Sequence, residues 1–304
     1  MPPLSLSATI DHHYQPLHQR VLRFGLFPAF LTLAAAGSAA IHLAILPPMA
    51  IQMGVFLLAA IAVALAERYL PHNAQWRDVP PAERRVDVMS WAALMMVFDP
   101  LVKGGLLPLL LSLTVTAAHP QGGLGWFPTH WPVAVQLALA AVIAEFGQYW
   151  MHRLAHRGGW MWRVHGMHHS PERIYLLNGF RVNPINLAWH QLAGLFVLML
   201  IGVPGEVLQM LILANMVVTV FQHANADLDY TGWNRLFSTA DLHRWHHAAG
   251  PGAPHANFGS TLFLWDQVFG TYHRPGREPE RVGIDGYDAP RGGYFAWLVR
   301  TTRG

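Results

Sequence analysis

Glu145–His156 reads EFGQYWMHRLAH, the end of an apolar run passing without interruption into a pair of histidines, His152 and His156. Read as one helix, it leaves the bilayer and carries those side chains, on a rigid element, just below the membrane surface. Positions i, i+3 and i+4 share a helix face, so such spacing aims imidazoles at a common point. Two further clusters repeat the device: His165, His168 and His169 in HGMHH, and His243, His246 and His247 in HRWHH. Composition alone predicts on the order of 0.1 H-x-x-H-H patterns in a chain of this size, and this chain holds two, so chance is a poor explanation. Eight ring nitrogens exceed what one tetrahedral zinc uses, whereas two metals with open positions use them all. A histidine-rich dinuclear centre is the expectation.

The rest of the chain fits a membrane setting. Of 304 residues, 53% are hydrophobic and 12% charged, far from the usual soluble balance, so surplus apolar surface must face lipid. The absence of cysteine excludes disulfides, thiolate ligands and a cysteine nucleophile. The formal charge of +3 is spread out and forms no basic patch for nucleic acid. The polar N-terminus, with His12, His13 and His18, precedes an apolar stretch long enough to stay in the bilayer. It reads as a short cytosolic arm and not as a removable signal.

Stretches long enough to span lie at about 21–46, 49–66, 88–118, 132–150, 187–203 and 205–222. Pro100, Gly104, Gly105 and Pro108 interrupt the third and predict a kinked or broken helix. The last two, reversed at Pro204-Gly205, read as either two spans or a re-entrant hairpin. The expected fold is all-α: a polytopic helical bundle with a cytosolic helical cap carrying the metal site. Charge placement agrees, since cytoplasmic loops retain lysine and arginine. Arg68, Arg77, Arg84 and Arg85 lie in the 67–87 connection, and Arg153, Arg157, Arg163, Arg173 and Arg181 surround the first two clusters. The 119–131 loop and the Pro47-Pro48 turn have no lysine or arginine. The N-terminus and all three clusters then share the cytosolic face.

Tyr149, Trp150, Trp160 and Trp162 suit an interfacial aromatic belt. Imidazole accepts zinc, iron, copper and nickel alike. A zinc hydrolase normally places a carboxylate base as in H-E-x-x-H, and neither H-x-x-H-H cluster contains an acidic residue. Iron activating dioxygen explains more, because it needs open coordination positions and a dry apolar cavity that a lipid enters from the bilayer. Glu145, Asp241 and Asp266 are candidates for orienting ligand histidines through the ring nitrogen that does not bind metal; the alternative is salt bridges to arginine. Asp99 and Lys103 read as a mutual pair or as snorkelling side chains more than as a substrate contact. His223, in FQHANADLD, is a candidate ninth ligand, and His190 a weaker one. His42, His72, His119, His130, His255 and His273 read as loop, interface or tail residues, and HPQGG at His119 is no convincing haem motif.

YWMHRLAH, WRVHGMHHS, Gln222-His223-Ala224-Asn225, HRWHH and NFGSTLFLWDQVFGTYHRP together resemble the fatty acid hydroxylase/sterol desaturase superfamily over about 145–275. The resemblance implies a non-haem di-iron membrane oxygenase in which His152, His156, His165, His168, His169, His243, His246 and His247 are ligands, and it favours His223 as well. The chain departs from the family at one point. Where members often have an arginine followed by His-Pro and an acidic residue, it has Arg181, Asn183-Pro184 and Asn186. Whatever that acidic residue supplies is then open, with His190, one turn beyond Asn186, as a substitute.

The expected organisation is an N-terminal transmembrane region, 1–131, and a catalytic region, 132–304. The expected activity is oxygen-dependent hydroxylation or desaturation of a membrane lipid at two iron ions, with O2 as co-substrate. A zinc-dependent membrane hydrolase and a non-catalytic metal or lipid carrier are the alternatives. The sequence has no flavin fingerprint and no cysteine cluster for iron–sulfur, so electrons must come from a separate ferredoxin, cytochrome or reductase. The membrane is the inner membrane of a bacterium or the endoplasmic reticulum of a eukaryote. Nothing in the sequence selects among fatty acyl, sterol and other lipid substrates.

Overall fold

The computed structural model describes residues 16–114 and 123–285, with Ala296 and Leu298. His12, His13 and the segment around His119 lie outside the described residues. Among the described residues, six helices are long and apolar enough to cross a membrane: α1 (Leu17–His42), α2 (Pro48–Tyr69), α3 (Pro81–Thr114), α4 (Val133–Ala155), α6 (Pro184–Ile201) and α7 (Gly205–Gln222). Three shorter helices, α5 (Gly159–His169), α8 (Ala240–His246) and α9 (Leu264–Val268), carry the polar end. Among the described residues there is no strand, so the fold is the expected all-α one.

Half of the most apolar stretch of α7 is buried, against 17% for that of α3, which makes α7 the central helix and α3 a peripheral one. Phe27 of α1 meets Phe221 of α7 and Tyr230 edge-on at 5.2 and 5.3 Å. Ala59 and Val63 of α2 join the same core beside Leu213 and Val217. On the outward side of α2, Met53, Leu57, Leu58, Ile61 and Leu65 are each more than half exposed, a continuous apolar face suited to lipid. Gly147 on α4 permits the closest crossing, because a Cβ there would lie on the Ala193 carbonyl of α6.

Proline shapes α3 as expected, by a specific device. The helix is continuous but opens into π turns at Leu94–Phe98 and Val102–Leu106, just ahead of Pro100 and Pro108. Proline has no N–H for the carbonyl four residues back and its ring crowds that carbonyl, and the wider turn relieves both. A third π turn, Leu192–Phe196, lies in α6 where Gly147 approaches. The last hairpin consists of two helices of 18 residues each, about 27 Å long at 1.5 Å per residue, close to the roughly 30 Å hydrocarbon core.

The helix ends sort into two layers. At one end His42 meets Glu206 at 3.2 Å and Leu124 N donates to Leu200 O. At the other, Asp227 N donates to Leu70 O, and the Glu67 carboxylate accepts from Leu176 N (2.7 Å) and Asn225 N (2.9 Å). All three histidine clusters lie in this second layer.

Candidate metal centre

Nine buried or part-buried histidines form two adjacent groups. His152, His156, His165, His169 and His246 make one, and His168, His223, His243 and His247 the other; within each, one nitrogen per ring lies within 4.8 Å of all the rest. The expectation that each cluster aims at one point is corrected here. The i, i+4 pairs 152/156, 165/169 and 243/247 each stay together, while His168 and His246, at i+3, go to the opposite group. His169 and His247 stack at 4.2 Å where the groups meet.

The ring nitrogens facing inward are too close to be left alone. His152 Nδ1 is 2.7 Å from the Phe258 carbonyl, which only accepts, so Nδ1 carries the proton and Nε2 a lone pair. His165 Nδ1 likewise faces Asn186 Oδ1 at 3.0 Å. Yet the two Nε2 atoms are 3.0 Å apart. In the second group His223 Nδ1 meets Asn178 Oδ1 at 2.9 Å, and the other end of that amide donates to Arg173 O, which fixes which atom faces the ring. His223 Nε2 is then 3.0 Å from His243 Nε2, and His247 Nε2 is 3.1 and 3.2 Å from those of His243 and His168. The facing lone pairs of His152 and His165 call for a cation between them, and the second group repeats their spacing. For metal–nitrogen bonds of about 2.1 Å, right-angle neighbours lie roughly 3.0 Å apart and tetrahedral ones about 3.4 Å. The observed edges match the right-angle value.

Protons do not fill that role at neutral pH. Burial pushes His165, His168, His169, His243, His246 and His247 well below the ordinary imidazole value, each reinforced by neighbouring histidines. His223 falls to about 3, through burial and then the charge of Arg181. His156 Nε2 and His246 Nε2 are buried without a hydrogen-bond partner, as lone pairs awaiting a metal are. The donor set, all imidazole, fits a first-row transition metal.

Glu145, Asp241 and Asp266 do not hydrogen-bond any ring, which corrects the expectation of direct contact. Glu145 and Asp266 hold the segment whose Phe258 carbonyl does, and Asp241 holds the start of α8. Glu145, fully inside α4, accepts from Ser260 N (2.5 Å), Thr261 N (2.9 Å) and Leu262 N (3.1 Å). Asp266 accepts from Phe258 N (2.8 Å), Gly259 N (2.7 Å) and Thr271 Oγ1 (2.7 Å). Five consecutive amides, 258–262, are thus tied to two carboxylates, and this segment presents the Phe258 carbonyl to His152 while Ala256 O takes His246 Nδ1 at 2.9 Å. Gly259 has no room for a Cβ, which would strike Leu262 O. Asp241 bonds Asn234 Nδ2 and Thr239 Oγ1 at the start of α8, anchoring the helix of the third cluster. The physical reason is topological: each carboxylate faces amide donors supplied by a neighbouring loop.

Asn186, where an acidic residue was missed, itself takes the His165 proton, so His190 has no such vacancy to fill. His190 lies on a cavity wall, 5.7 Å from His152 between ring centroids. Asn178, Glu67 and the buried Arg181–Asp87 pair (2.5 Å) went unread in the sequence. Glu67 and Asp87 carried the signal that singled out Glu145, an acid at the end of an apolar span; Asn178 carried none. Asp99 and Lys103 do pair, at 2.8 Å. Among the remaining histidines, His72 faces Glu278, His273 packs on Trp245, and His255 is exposed 6.2 Å from His156.

A cavity of about 320 Å³ opens beside the histidines, reaching from His152, His165, His168, His223 and His243 along Phe56, Phe180, Leu195 and Leu211.

Residues 137–271 match the fatty acid hydroxylase family. The chain is 32% identical over 256 residues to the ornithine lipid hydroxylase OlsE of Rhizobium tropici, covering 81% of this chain and 74% of that protein. It is 29% identical over 171 residues to the alkylglycerol monooxygenase of Danio rerio and 27% over 132 residues to that of Homo sapiens, spanning 36% and 28% of those two proteins. No solved structure matches.

Proposed function

Because the chain belongs to the fatty acid hydroxylase family, we propose that it is an integral membrane enzyme that inserts oxygen into a C–H bond of a lipid. The overall change is R–H + O2 + 2 electrons + 2 protons giving R–OH + H2O. The observation that carries the reading is the pair of convergent imidazole sets, with facing Nε2 atoms 3.0 Å apart in each, lining an apolar cavity between spanning helices.

Two iron ions are the metals proposed, held by His152, His156, His165, His169 and His246 and by His168, His223, His243 and His247. Bound there, they would supply the dioxygen and electron chemistry that no side chain of a cysteine-free protein offers. The protein's own contribution is positioning. Phe258 O, Ala256 O, Asn186 and Asn178 set ring tautomers and angles. The 258–262 segment, clamped by Glu145 and Asp266, keeps the first of these in place. The apolar wall excludes water and admits part of a lipid while the remainder stays in the bilayer. Hydroxylation is favoured over desaturation because the relatives' names are those of a hydroxylase and of monooxygenases. Electrons come from a separate ferredoxin, cytochrome or reductase, and the site faces the cytosol, on the side where arginine accumulates. We take 132–304 as the catalytic region, which contains the family match.

The test is metal content per chain on protein from iron-supplied cells, beside His168→Ala, with lipid extracts compared by mass. About two irons, reduced in the variant, together with a lipid gaining one oxygen atom, is the expected result. Zinc alone at full occupancy, or no metal, overturns the assignment.

A further inference from the structure

The cavity has a charged wall that the metal centre does not use. Asp99 and Lys103 lie near the middle of α3, a 34-residue apolar helix, where an ionisable side chain is costly without a task. They do not snorkel to a helix end. Both line the same cavity as His152, His165 and His168, and their side chains are 22% and 30% exposed. Their neighbours Met96 and Leu101, 73% and 60% exposed, occupy the outward positions instead. The π turns on either side of Asp99–Leu101 place this segment against α6, and Gln148, Gln191 and Asn215 add amides to the cavity wall.

Lys103 Nζ approaches both carboxylate oxygens, at 2.8 and 3.0 Å, leaving ammonium protons and carboxylate lone pairs to spare. The pair is neutral as a whole. A ligand bearing only an anion would compete for Lys103 and leave one net negative charge in an apolar cavity; one bearing only a cation would leave a positive charge. A zwitterion does neither, since its ammonium adds to Asp99, its anion adds to Lys103, and the four charges alternate. A neutral head would waste the pair's desolvation.

We propose that Asp99 and Lys103 form a recognition site for a zwitterionic lipid head, an ammonium with a carboxylate or phosphate, held in the same cavity as the metal centre. This rests on the reading of the protein as a lipid hydroxylase and adds the class of substrate. It also implies that the oxidised bond lies within a short, fixed reach of the head, because a cavity of about 320 Å³ takes in only part of a lipid.

The test is a retention experiment on the full-length protein in detergent, needing neither oxygen nor reductant. N-oleoyl-lysine (zwitterion), N-oleoyl-norleucine (anion only), the mono-oleoyl amide of 1,5-diaminopentane (cation only), N-pentyl oleamide (neutral) and dioleoylphosphatidylethanolamine are offered together. Bound lipid is quantified by mass spectrometry after repurification. Wild type should retain N-oleoyl-lysine or the phosphatidylethanolamine at least tenfold over the three others, and which of the two wins separates carboxylate from phosphate. Asp99→Asn/Lys103→Met should lose that preference and favour the neutral amide, with metal content unchanged. Retention of both N-oleoyl-lysine and the phosphatidylethanolamine no better than that of the neutral amide by wild type overturns the proposal even if no variant folds; so does an undiminished preference in the double variant. Because binding is read without turnover, a protein that selects the zwitterion yet forms no hydroxylated product would refute the activity and leave the head site standing.

Discussion

Glu145→Gln tests whether the metal centre is held from outside its ligands. The carboxylate takes three amides, Ser260 on one oxygen and Thr261 and Leu262 on the other. Glutamine keeps one acceptor and turns an NH2 toward the remaining donors, so at least one buried amide loses its partner. A hydrogen bond to a charged group contributes about 1.5–3 kcal/mol, and a buried orphan costs about 1–3 kcal/mol. The destabilisation should therefore be about 2–4 kcal/mol, for a side chain of nearly unchanged volume. Its functional effect follows the path to the Phe258 carbonyl and the His152 proton, where lost orientation of a metal-binding histidine costs roughly 10–100-fold in affinity. Asp266→Asn acts closer, on Phe258 N itself, and should weaken the five-histidine group more. Titration of metal-free protein with ferrous iron measures both: the variants should lose one site's affinity by tenfold or more while the other, built on His168, His223, His243 and His247, is retained. Two unaltered sites in both variants would refute the clamp, and equal loss of both would refute the separation into two groups.

Asn178→Leu and Asn186→Leu should divide the other way, the first weakening the group with His223 and the second the group with His165; iron titration of each checks the pairing. Asp87→Ala leaves Arg181 buried without its carboxylate and frees the Tyr175 hydroxyl, so the thermal midpoint should fall by the equivalent of about 3–5 kcal/mol. For metal-free protein the pH dependence has a defined sign. His223 is lowered from 6.5 to about 3 and His72 to about 4, both by burial, so the unfolded chain takes up protons first. Stability is full above pH 6.5 and is lost as pH falls toward 3, by up to about 1.4 kcal/mol per pH unit for each such histidine. A thermal midpoint flat between pH 7 and 4.5 would contradict the burial.

Spans and site were legible to different degrees for physical reasons. Six apolar stretches were readable because every backbone group in a bilayer must be satisfied within the helix, which leaves long apolar runs with one interpretation. The ligand candidates were readable because spacing at i, i+4 is local. What supports them is not local. Glu145 reaches residues 115 to 117 positions away, and Asn178 meets His223 45 positions on. A carboxylate's presence at a span end announces a task, but whether it serves a ring, an arginine or a loop depends on which segment the topology brings opposite. Asn186 illustrates the same limit, since a departure from family pattern looked like a loss and an amide oxygen fills the position.

The division of the candidate ligands into two groups, by contrast, accords with helix geometry. Consecutive residues on an α-helix point about 100° apart, while i and i+4 differ by about 40°. His168 and His169 therefore cannot both serve one metal without bending the helix, and His246 and His247 meet the same restriction. Each adjacent pair straddles two positions, and the i, i+4 partner of its second member, His165 or His243, fixes which position that member serves. HRLAH, with no adjacent pair, can serve only one, and it falls in the first group. That leaves the second group with His168, His243 and His247, three rings against five, and His223 enters there from the end of α7 to make a fourth. A His223→Ala variant should accordingly lower iron affinity at one site alone, and a loss at both would mean that the two groups share more than the His169–His247 stack.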